Sequence, residues 1–433
     1  MLDINYIRAN QPKVEAAATN KGFDPALVSS VLTLDESRRA LLSQIDVLRT
    51  ERNQNAAAMK SGKPEQTLID HGKQLKVELS KLETELASVD EEYFKTLKQI
   101  PNVPSDDVPV GLSEDENVVV ETIGEPTKFD FKPKNHYELA MARGWLDKER
   151  AAKVAGARFA YLLGDLVKLQ MAIVNWVMDA LSNEEIIKKI AADNKLDIDT
   201  RPFIPVLPPF MIKTEPYDAM DRLEPREDRY KIEGSELWLQ GSAEHVLGSM
   251  HADEIFDQKD LPLRYLGYAT SFRQEAGTYG KDMEGIIRMH QFDKLEMESF
   301  TTAQDGYNEH LLFVAIQRYL LDALKLPYQV VQKCTYDIGK PNARGIDMDV
   351  YLPGQGKYRE THTADYMTDY QARRLKTRVR NDTGETELIH TNDATAFALG
   401  RILIAILENY QTADSKVIIP EVLRPYLGNK EQI

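Results

Sequence analysis

Residues 271–298 read SFRQEAGTYGKDMEGIIRMHQFDKLEME, two strand-like runs around a glycine-bearing loop. Arg273 and Glu275 are two apart, so on a strand they share a face. Gly277, Gly280 and Gly285 separate them from a returning run. On that run Arg288, His290, Phe292, Lys294 and Glu296 again fall on one face. Guanidinium groups match phosphate geometry, and an aromatic face stacks on a base, so such a surface suits a triphosphate and a purine. An ion-paired sheet surface would show the same alternation, and periodicity does not separate the two.

Outward from this stretch, residues 118–433 alternate between helix-like and strand-like segments. Helix is expected over 151–153, 162–181, 306–324 and 395–410, and strand over 264–269, 284–298, 328–332 and 345–351. Neither G-x-G-x-x-G after a strand nor G-x-x-x-x-G-K-[ST] occurs, so a nucleotide would need another phosphate-binding solution. Upstream, residues 101–117 (PNVPSDDVPVGLSEDEN) are proline-rich and acidic and cannot continue a helix.

The first hundred residues carry a different period. Val31, Leu34, Leu41, Ile45, Leu48 and Met59 are spaced by threes and fours, with Arg38, Arg52 and Asn55 on the same seam. Leu68, Leu75, Leu79, Leu82, Leu86, Val89, Tyr93 and Ile100 form a second run. Lys60-Ser-Gly-Lys-Pro64 between them permits a reversal, so the segment reads as an antiparallel coiled-coil hairpin. At about 1.5 Å per residue its arms, roughly 30 residues each, would be about 45 Å long. The expected organisation is therefore a hairpin domain (1–100), a linker (101–117) and a mixed domain (118–433).

Bulk composition narrows the class. With 42% hydrophobic and 28% charged residues the chain is globular in character, and no apolar run reaches the ~20 residues of a membrane span. Residues 1–10 lack a basic start followed by an apolar block, so no secretory signal is expected. Cys334 is the only cysteine, which excludes an internal disulfide and multi-cysteine zinc sites; no H-E-x-x-H is present, and no zinc is expected. No G-x-S-x-G elbow exists for a serine hydrolase. The net charge of −15 argues against indiscriminate binding to nucleic acid, but residues 38–81 hold nine basic against five acidic side chains. That local excess fits a phosphate-contacting surface or an ordinary solvated helix face.

The spelling F-R-x-E, glycine loop, G-x-I-R-x-H-Q-F-x-K-x-E over residues 272–296 resembles motif 2 of the class II aminoacyl-tRNA synthetases in its seryl form. Residues 157–166 (ARFAYLLGDL) with Pro208-Pro209 resemble motif 1, which carries the dimer interface in that class. Gln371-Ala-Arg-Arg374 and residues 400–411 (GRILIAILENYQ) resemble motif 3, and residues 418–425 resemble the family's C-terminal tail. The likeness covers essentially the whole chain. It implies an α+β fold in which an N-terminal helical hairpin precedes a class II catalytic domain, an antiparallel β-sheet flanked by helices.

The resemblance also implies an activity and its residues. L-serine and ATP would give seryl-adenylate, then acylate the 3′ end of tRNA(Ser), and of tRNA(Sec) where that exists, in a cytoplasmic homodimer with no membrane partner. Arg273, Glu360 and Arg401 would be catalytic, with Arg273 bridging the α-phosphate and the serine carboxylate. Gln274, Glu275 and Met289 would line the adenosine, and Arg288 would hold the γ-phosphate. Adenine would lie between Phe292 and Arg401. Glu360 would take Mg²⁺, followed by Thr361, His362 and Thr363 in the ATP segment. Serine would be held by Ser242, Ala243, Glu244, Arg273, Glu296 and Thr395. The tRNA would meet Arg38, Arg39, Arg49, Arg52, Lys60, Lys63, Lys73 and Lys76.

Four positions depart from the family's usual spelling: Ser242, Asp365, Tyr366 and Asp393, with Thr395 keeping a hydroxyl. Asp365 and Asp393 could help hold the ammonium or mark an altered specificity. Two rival readings are a paralogue that acylates a carrier protein and a non-catalytic RNA-binding homologue. The hairpin speaks against the first, and the intact motif 2 and 3 charges against the second.

Overall fold

The computed structural model describes residues 1–60, 65–276 and 285–433. Lys63, with the rest of the expected reversal at 61–64, and Gly277 and Gly280 of the motif 2 loop lie outside the described residues. The chain separates into two compact units, Met1–Val103 and Pro104–Ile433.

The first unit is wholly helical: α1 (Ile4–Ala9), α2 (Gln11–Asn20), α3 (Ala26–Lys60) and α4 (Gln66–Leu97). Asp3 caps α1 by accepting from the amides of Asn5 and Tyr6 at 2.7 and 3.2 Å. α3 and α4 pack on each other, burying Val28, Val31, Leu41 and Ile45 against Leu75, Leu79, Tyr93 and Leu97. The seam expected from sequence is thus present in part: Leu34, Leu48, Met59, Leu68, Leu82, Leu86 and Val89 are only half-buried, and Arg52 is exposed. Asp35 is buried instead, because Arg8 (2.6 Å) and Arg39 (3.0 Å) neutralise it. Asn55 is also buried and donates to the Leu68 carbonyl at 3.0 Å. A Cβ at Gly72 would meet the Asn55 Nδ2 at 2.9 Å, so glycine is what permits that polar crossing.

The second unit is built on an eight-stranded sheet. Its strands are β1 (Val118–Ile123), β2 (Ile204–Val206), β3 (Leu263–Phe272), β4 (Gln291–Thr301), β5 (Tyr328–Gln332), β6 (Arg344–Leu352), β7 (Lys357–Thr368) and β8 (His390–Ala398). The order is β1-β5-β6-β7-β8-β4-β3-β2, antiparallel except at the β2–β3 edge. Four helices matter for the site: α5 (Asp165–Leu181), the short α6 (Ala243–Leu247), α7 (Gly306–Ala323) and α8 (Leu399–Asn409). One sheet face is dry: Leu266, Leu295, Met297, Ile346, Met348 and Phe397 meet the apolar sides of α5, α7 and α8. The other face is polar and carries α6.

Three sequence expectations are corrected. Residues 395–398, expected as helix, finish β8, where they pair with β4; α8 starts only at Leu399. The strand expected over 284–298 is β4, Gln291–Thr301, so Arg288 and His290 precede it in a turn. β3 ends at Phe272, which leaves Arg273 and Glu275 beyond the strand, Glu275 at φ 51°.

Arg264 of β3 ties this core together. Its fully buried guanidinium donates to both carboxylate oxygens of Glu309 on α7, at 2.6 and 2.8 Å. It also donates to the carbonyls of Arg201 and Asp199. Truncating one partner strands a buried charge, so Glu309→Ala is expected to cost about 3–5 kcal/mol, read by chemical denaturation.

Candidate active site

Two backbone bonds hold the segment beyond β3: the Arg273 amide donates to the His290 carbonyl (3.0 Å), continuing the β3–β4 pairing, and the Gln274 amide donates to the carbonyl of Asp228 (3.1 Å) in the turn at residues 226–228. The residues beyond the strands are therefore held firmly, although they are not in them. They frame a cleft lined by Arg273, Glu275, Arg288, Met289, Phe292, Glu360, Thr361, Thr363, Thr395 and Arg401.

Two of its arginines are held by its acids. Arg288 Nη1 donates to Glu275 at 2.7 Å, and Arg401 Nη1 to the Glu360 carboxylate at 2.8 Å. Arg273 donates from Nε to the Gly241 carbonyl at 3.0 Å, with its guanidinium 5.4 Å from the Phe292 ring centroid. Gln274 faces elsewhere, donating to the Arg229 carbonyl at 2.8 Å. Burial alone would raise the Glu360 pKa, but the charges of Arg401 and Lys333 outweigh it and hold the carboxyl below its ordinary range. Asp349, paired with Glu360 across β6 and β7, is instead pushed up to about 6, first by burial and then by Glu360 itself.

A bulge decides which residues of 360–363 look into the cleft. Register slips between Met348 and Asp349, so Asp349 pairs with Glu360 and Met348 with His362. Thr361 is the extra residue. Glu360 thereby shares the polar face with Thr363, while His362 turns into the core, 5.1 Å from the Phe397 ring. Of the four residues expected to bind ATP here, His362 has its side chain outside the cleft lining.

At the other end Ser242 precedes α6 and Glu244 lies in its first turn. Glu296 receives hydrogen bonds from the Ser242 hydroxyl, the Glu244 amide (3.1 Å) and Lys294. Burial pushes the Glu296 pKa up, yet Lys294 and these hydrogen bonds bring it below the ordinary range. Thr395 pairs with Glu296 across β8 and β4. Carboxylate oxygens of Glu244, Glu296 and Asp393 lie within 4.8 Å of one another.

The departures separate. Asp365 and Asp393 are cross-strand partners on the polar face and buried. Tyr366 lies on the opposite face, its hydroxyl 2.7 Å from His390 Nδ1. Sequence reasoning missed Arg222, whose Nε donates to Glu244 at 2.6 Å, and Asn342, which accepts from Arg222 at 3.2 Å. Neither belongs to a motif, and no local pattern marks them.

Of the basic residues on the first unit, Arg38 bonds Asp90 at 2.6 Å and Arg49 bonds Glu83 at 2.9 Å, both across the hairpin. Arg39 is bound to Asp35 and Lys73 to Asp70. Arg52, Lys60 and Lys76 are exposed.

Comparisons with known proteins agree on one family. Residues 1–104 match the seryl-tRNA synthetase N-terminal domain, and residues 228–410 the class II tRNA synthetase core domain (G, H, P, S and T). The serine–tRNA ligase of Thermodesulfovibrio yellowstonii is 38% identical over 99% of this chain and 99% of its own. The seryl-tRNA synthetase from Pyrococcus horikoshii complexed with ATP is similar at TM-score 0.90 and 35% identity, covering 100% of this chain and 99% of that one. The cytoplasmic serine–tRNA ligase from Naegleria fowleri in complex with AMP gives TM-score 0.86 and 28% identity, over 100% and 98% of the two chains.

Burial sets the acid limit of this unit. His310 and His362 are pushed down to about 3, first by burial, with Arg344 adding to it at His310. Each is neutral in the fold but takes up a proton on unfolding below about 6.5. Their contribution is complete above that pH and is lost as pH falls towards 3. Between pH 6 and 4 the share of the unfolding free energy that these two histidines contribute should therefore fall with pH. His310→Gln should reduce proton uptake on unfolding at pH 5 by about one, measured by urea titrations across pH.

Proposed function

Matched over 99% of its length by a relative 38% identical to it, the chain belongs to the seryl-tRNA synthetases, and from that premise we propose how its residues divide the work. The enzyme is a serine–tRNA ligase of class II that uses ATP. In the first step the serine carboxylate attacks the α-phosphorus and pyrophosphate leaves. In the second a 3′-terminal hydroxyl of tRNA(Ser) attacks the seryl carbonyl and AMP leaves.

One observation carries the assignment of roles: Arg273 reaches from the Gly241 carbonyl, beside Ser242 and Glu244, into the cleft that holds Arg288 and Arg401. A group so placed would touch both the serine carboxylate and the α-phosphate and oppose the charge that builds between them. Arg288 would take the γ-phosphate, with Glu275 keeping it aimed beforehand. Phe292 and Arg401 would enclose the adenine, and Glu275, Met289 and the Gln274 backbone would border the adenosine. This chemistry needs positioning and charge neutralisation and no protein nucleophile.

Glu360 fits a magnesium ion carried by ATP, because it stays ionised and such ions take one or two carboxylates plus substrate oxygens. The ion would neutralise phosphate charge. Thr361 and Thr363 would contribute hydroxyls beside it, and His362 only its backbone. Serine would sit with its ammonium at Glu244 and its hydroxyl between Glu296 and Thr395. Alanine would offer no hydroxyl to Glu296 and Thr395, and a site built to hydrogen-bond a substrate hydroxyl rejects the analogue lacking it by about 10⁴-fold.

The hairpin would meet the tRNA through Arg52, Lys60, Lys63 and Lys76, with Arg38, Arg39, Arg49 and Lys73 shared between the helix pair and the RNA. Recognition would follow RNA shape and backbone; tRNA(Sec) shares that route. Homodimerisation is supported by exposed apolar side chains in the motif 1 region: Val167, Met171, Ile204, Leu207 and Phe210. A cytoplasmic setting follows from the reaction, and no described helix is long and apolar enough to cross a membrane.

Amino-acid-dependent ATP–pyrophosphate exchange across the twenty amino acids should peak with serine, and Arg273→Gln should lower it at least ~10²-fold. Exchange that peaks with another amino acid would redirect the reading to Asp365 and Asp393. Deleting residues 36–95 should abolish tRNA charging and leave serine-dependent exchange within about threefold; loss of both would assign the hairpin to the fold.

A further inference from the structure

Behind the amino-acid end lies a layer of charge that the roles above leave unused. Asp365, Asp393 and Glu298 face one another across β7, β8 and β4, in direct register and buried. Directly paired side chains stand about 5 Å apart, so three carboxyls meet where water is scarce. Both oxygens of Glu298, and Oδ1 of Asp393 and of Asp365, have no hydrogen-bond partner among the described residues.

Arg222 enters this layer from the side. It donates from Nε to Glu244 at 2.6 Å and from Nη2 to Asn342 at 3.2 Å, and Nη2 stands 3.8 Å from Asp393 Oδ1. The other charged or titratable groups that act on Asp393 are Glu244 on α6, Asp365 on β7 and Glu296 on β4, with Glu298 directly opposite it on β4. Lys294 is engaged by Glu296, and Lys333 lies 3.8 Å from Asp337 and 4.0 Å from Asp347. Burial keeps His245 neutral.

This arrangement poses a charge problem. Glu244 is the carboxylate offered to an incoming ammonium, yet its Oε1 is already bound to a guanidinium. A second cation at that carboxylate is repelled by Arg222 unless another negative charge appears beside it. Asp393 is placed to supply it, 3.8 Å from Arg222 and within 4.8 Å of the Glu244 and Glu296 oxygens.

We propose that Asp393 is a positioning residue whose proton is exchanged for the substrate: protonated in the free enzyme, it ionises when the amino-acid ammonium docks at Glu244. Its O–H bond breaks, the proton passes to solvent, and the carboxylate left behind faces Arg222. One cation enters and one leaves, so the pocket's net charge is unchanged. In the free enzyme burial, followed by the charges of Glu244 and Asp365, raises the Asp393 carboxyl well above its ordinary range, as the exchange requires. The proposal rests on Glu244 being the ammonium end of the serine site.

Serine binding to the full-length enzyme, measured by calorimetry at pH 7 in two buffers of different ionisation enthalpy, should release about one proton. In pyrophosphate exchange the serine KM should fall about a hundredfold from pH 6 to pH 8, tenfold per pH unit for one proton released, as proton competition is relieved. The ATP KM should move less than twofold. Asp393→Asn should fold, flatten that serine profile and abolish proton release. Release near zero in the unaltered enzyme, or a profile in Asp393→Asn as steep as in the unaltered enzyme, overturns the proposal. Loss of proton release in Asp365→Asn or Glu298→Gln, with Asp393→Asn still releasing one, would move the proton to another carboxyl and equally overturn it. Absence of serine-dependent exchange at every pH would instead sink the reading of the site as a serine pocket.

Discussion

The dry face of the eight-stranded sheet constrains everything above it. Leu266, Leu295, Met297, Ile346, Met348 and Phe397 are buried under α5, α7 and α8. Because strand side chains alternate strictly, burying one set forces the intervening set onto the opposite face. That set is Asp347, Thr363, Asp365, Asp393, Thr395, Lys294, Glu296 and Glu298. A one-residue slip would exchange the two sets, so the apolar core fixes the register of the polar groups that face the cleft. The buried Arg264–Glu309 pair adds a polar lock between β3 and α7 on the same core.

Bulges then edit that alternation. The extra residue at Thr361 brings Glu360 onto the cleft side and turns His362 away. A second irregularity between Thr395 and Phe397 keeps Thr395 opposite Glu296 while Phe397 rejoins the core. Ion pairs complete the preparation: Glu275 with Arg288, Glu360 with Arg401, Lys294 with Glu296. Each cation is oriented before a phosphate or carboxylate arrives, so less ordering remains to be done on binding. The deeper layer around Arg222 is different in kind, since its carboxyls outnumber the cations that reach them.

The helical unit follows a simpler rule. Steps of three and four place Val31, Leu41, Ile45, Leu75 and Leu79 between α3 and α4, and the sequence alone locates them. It does not locate Asp35, which is buried because Arg8 and Arg39 come to it from α1 and from one turn along α3. Nor does it say that Arg38 and Arg49 also brace the helix pair, since their acids lie 52 and 34 residues away.

The sequence by itself determined the two kinds of architecture, the family, and the residues of motif 2, because local periodicity and a long exact spelling are both properties of neighbouring positions. It put Arg273, Glu275 and Arg288 on one surface, and they do line one cleft, but it assigned them to strands that end before they do. Only the tertiary structure decided the bulge at Thr361, the start of α8 at Leu399, the removal of Tyr366 to the far face, and the meeting of Arg222 with Glu244 and Asp393. Those outcomes depend on pairing between strands and on charges brought together from distant segments. No window of sequence contains both partners of such a contact, so its energy, and the choice of face that follows from it, exist only once the chain has folded.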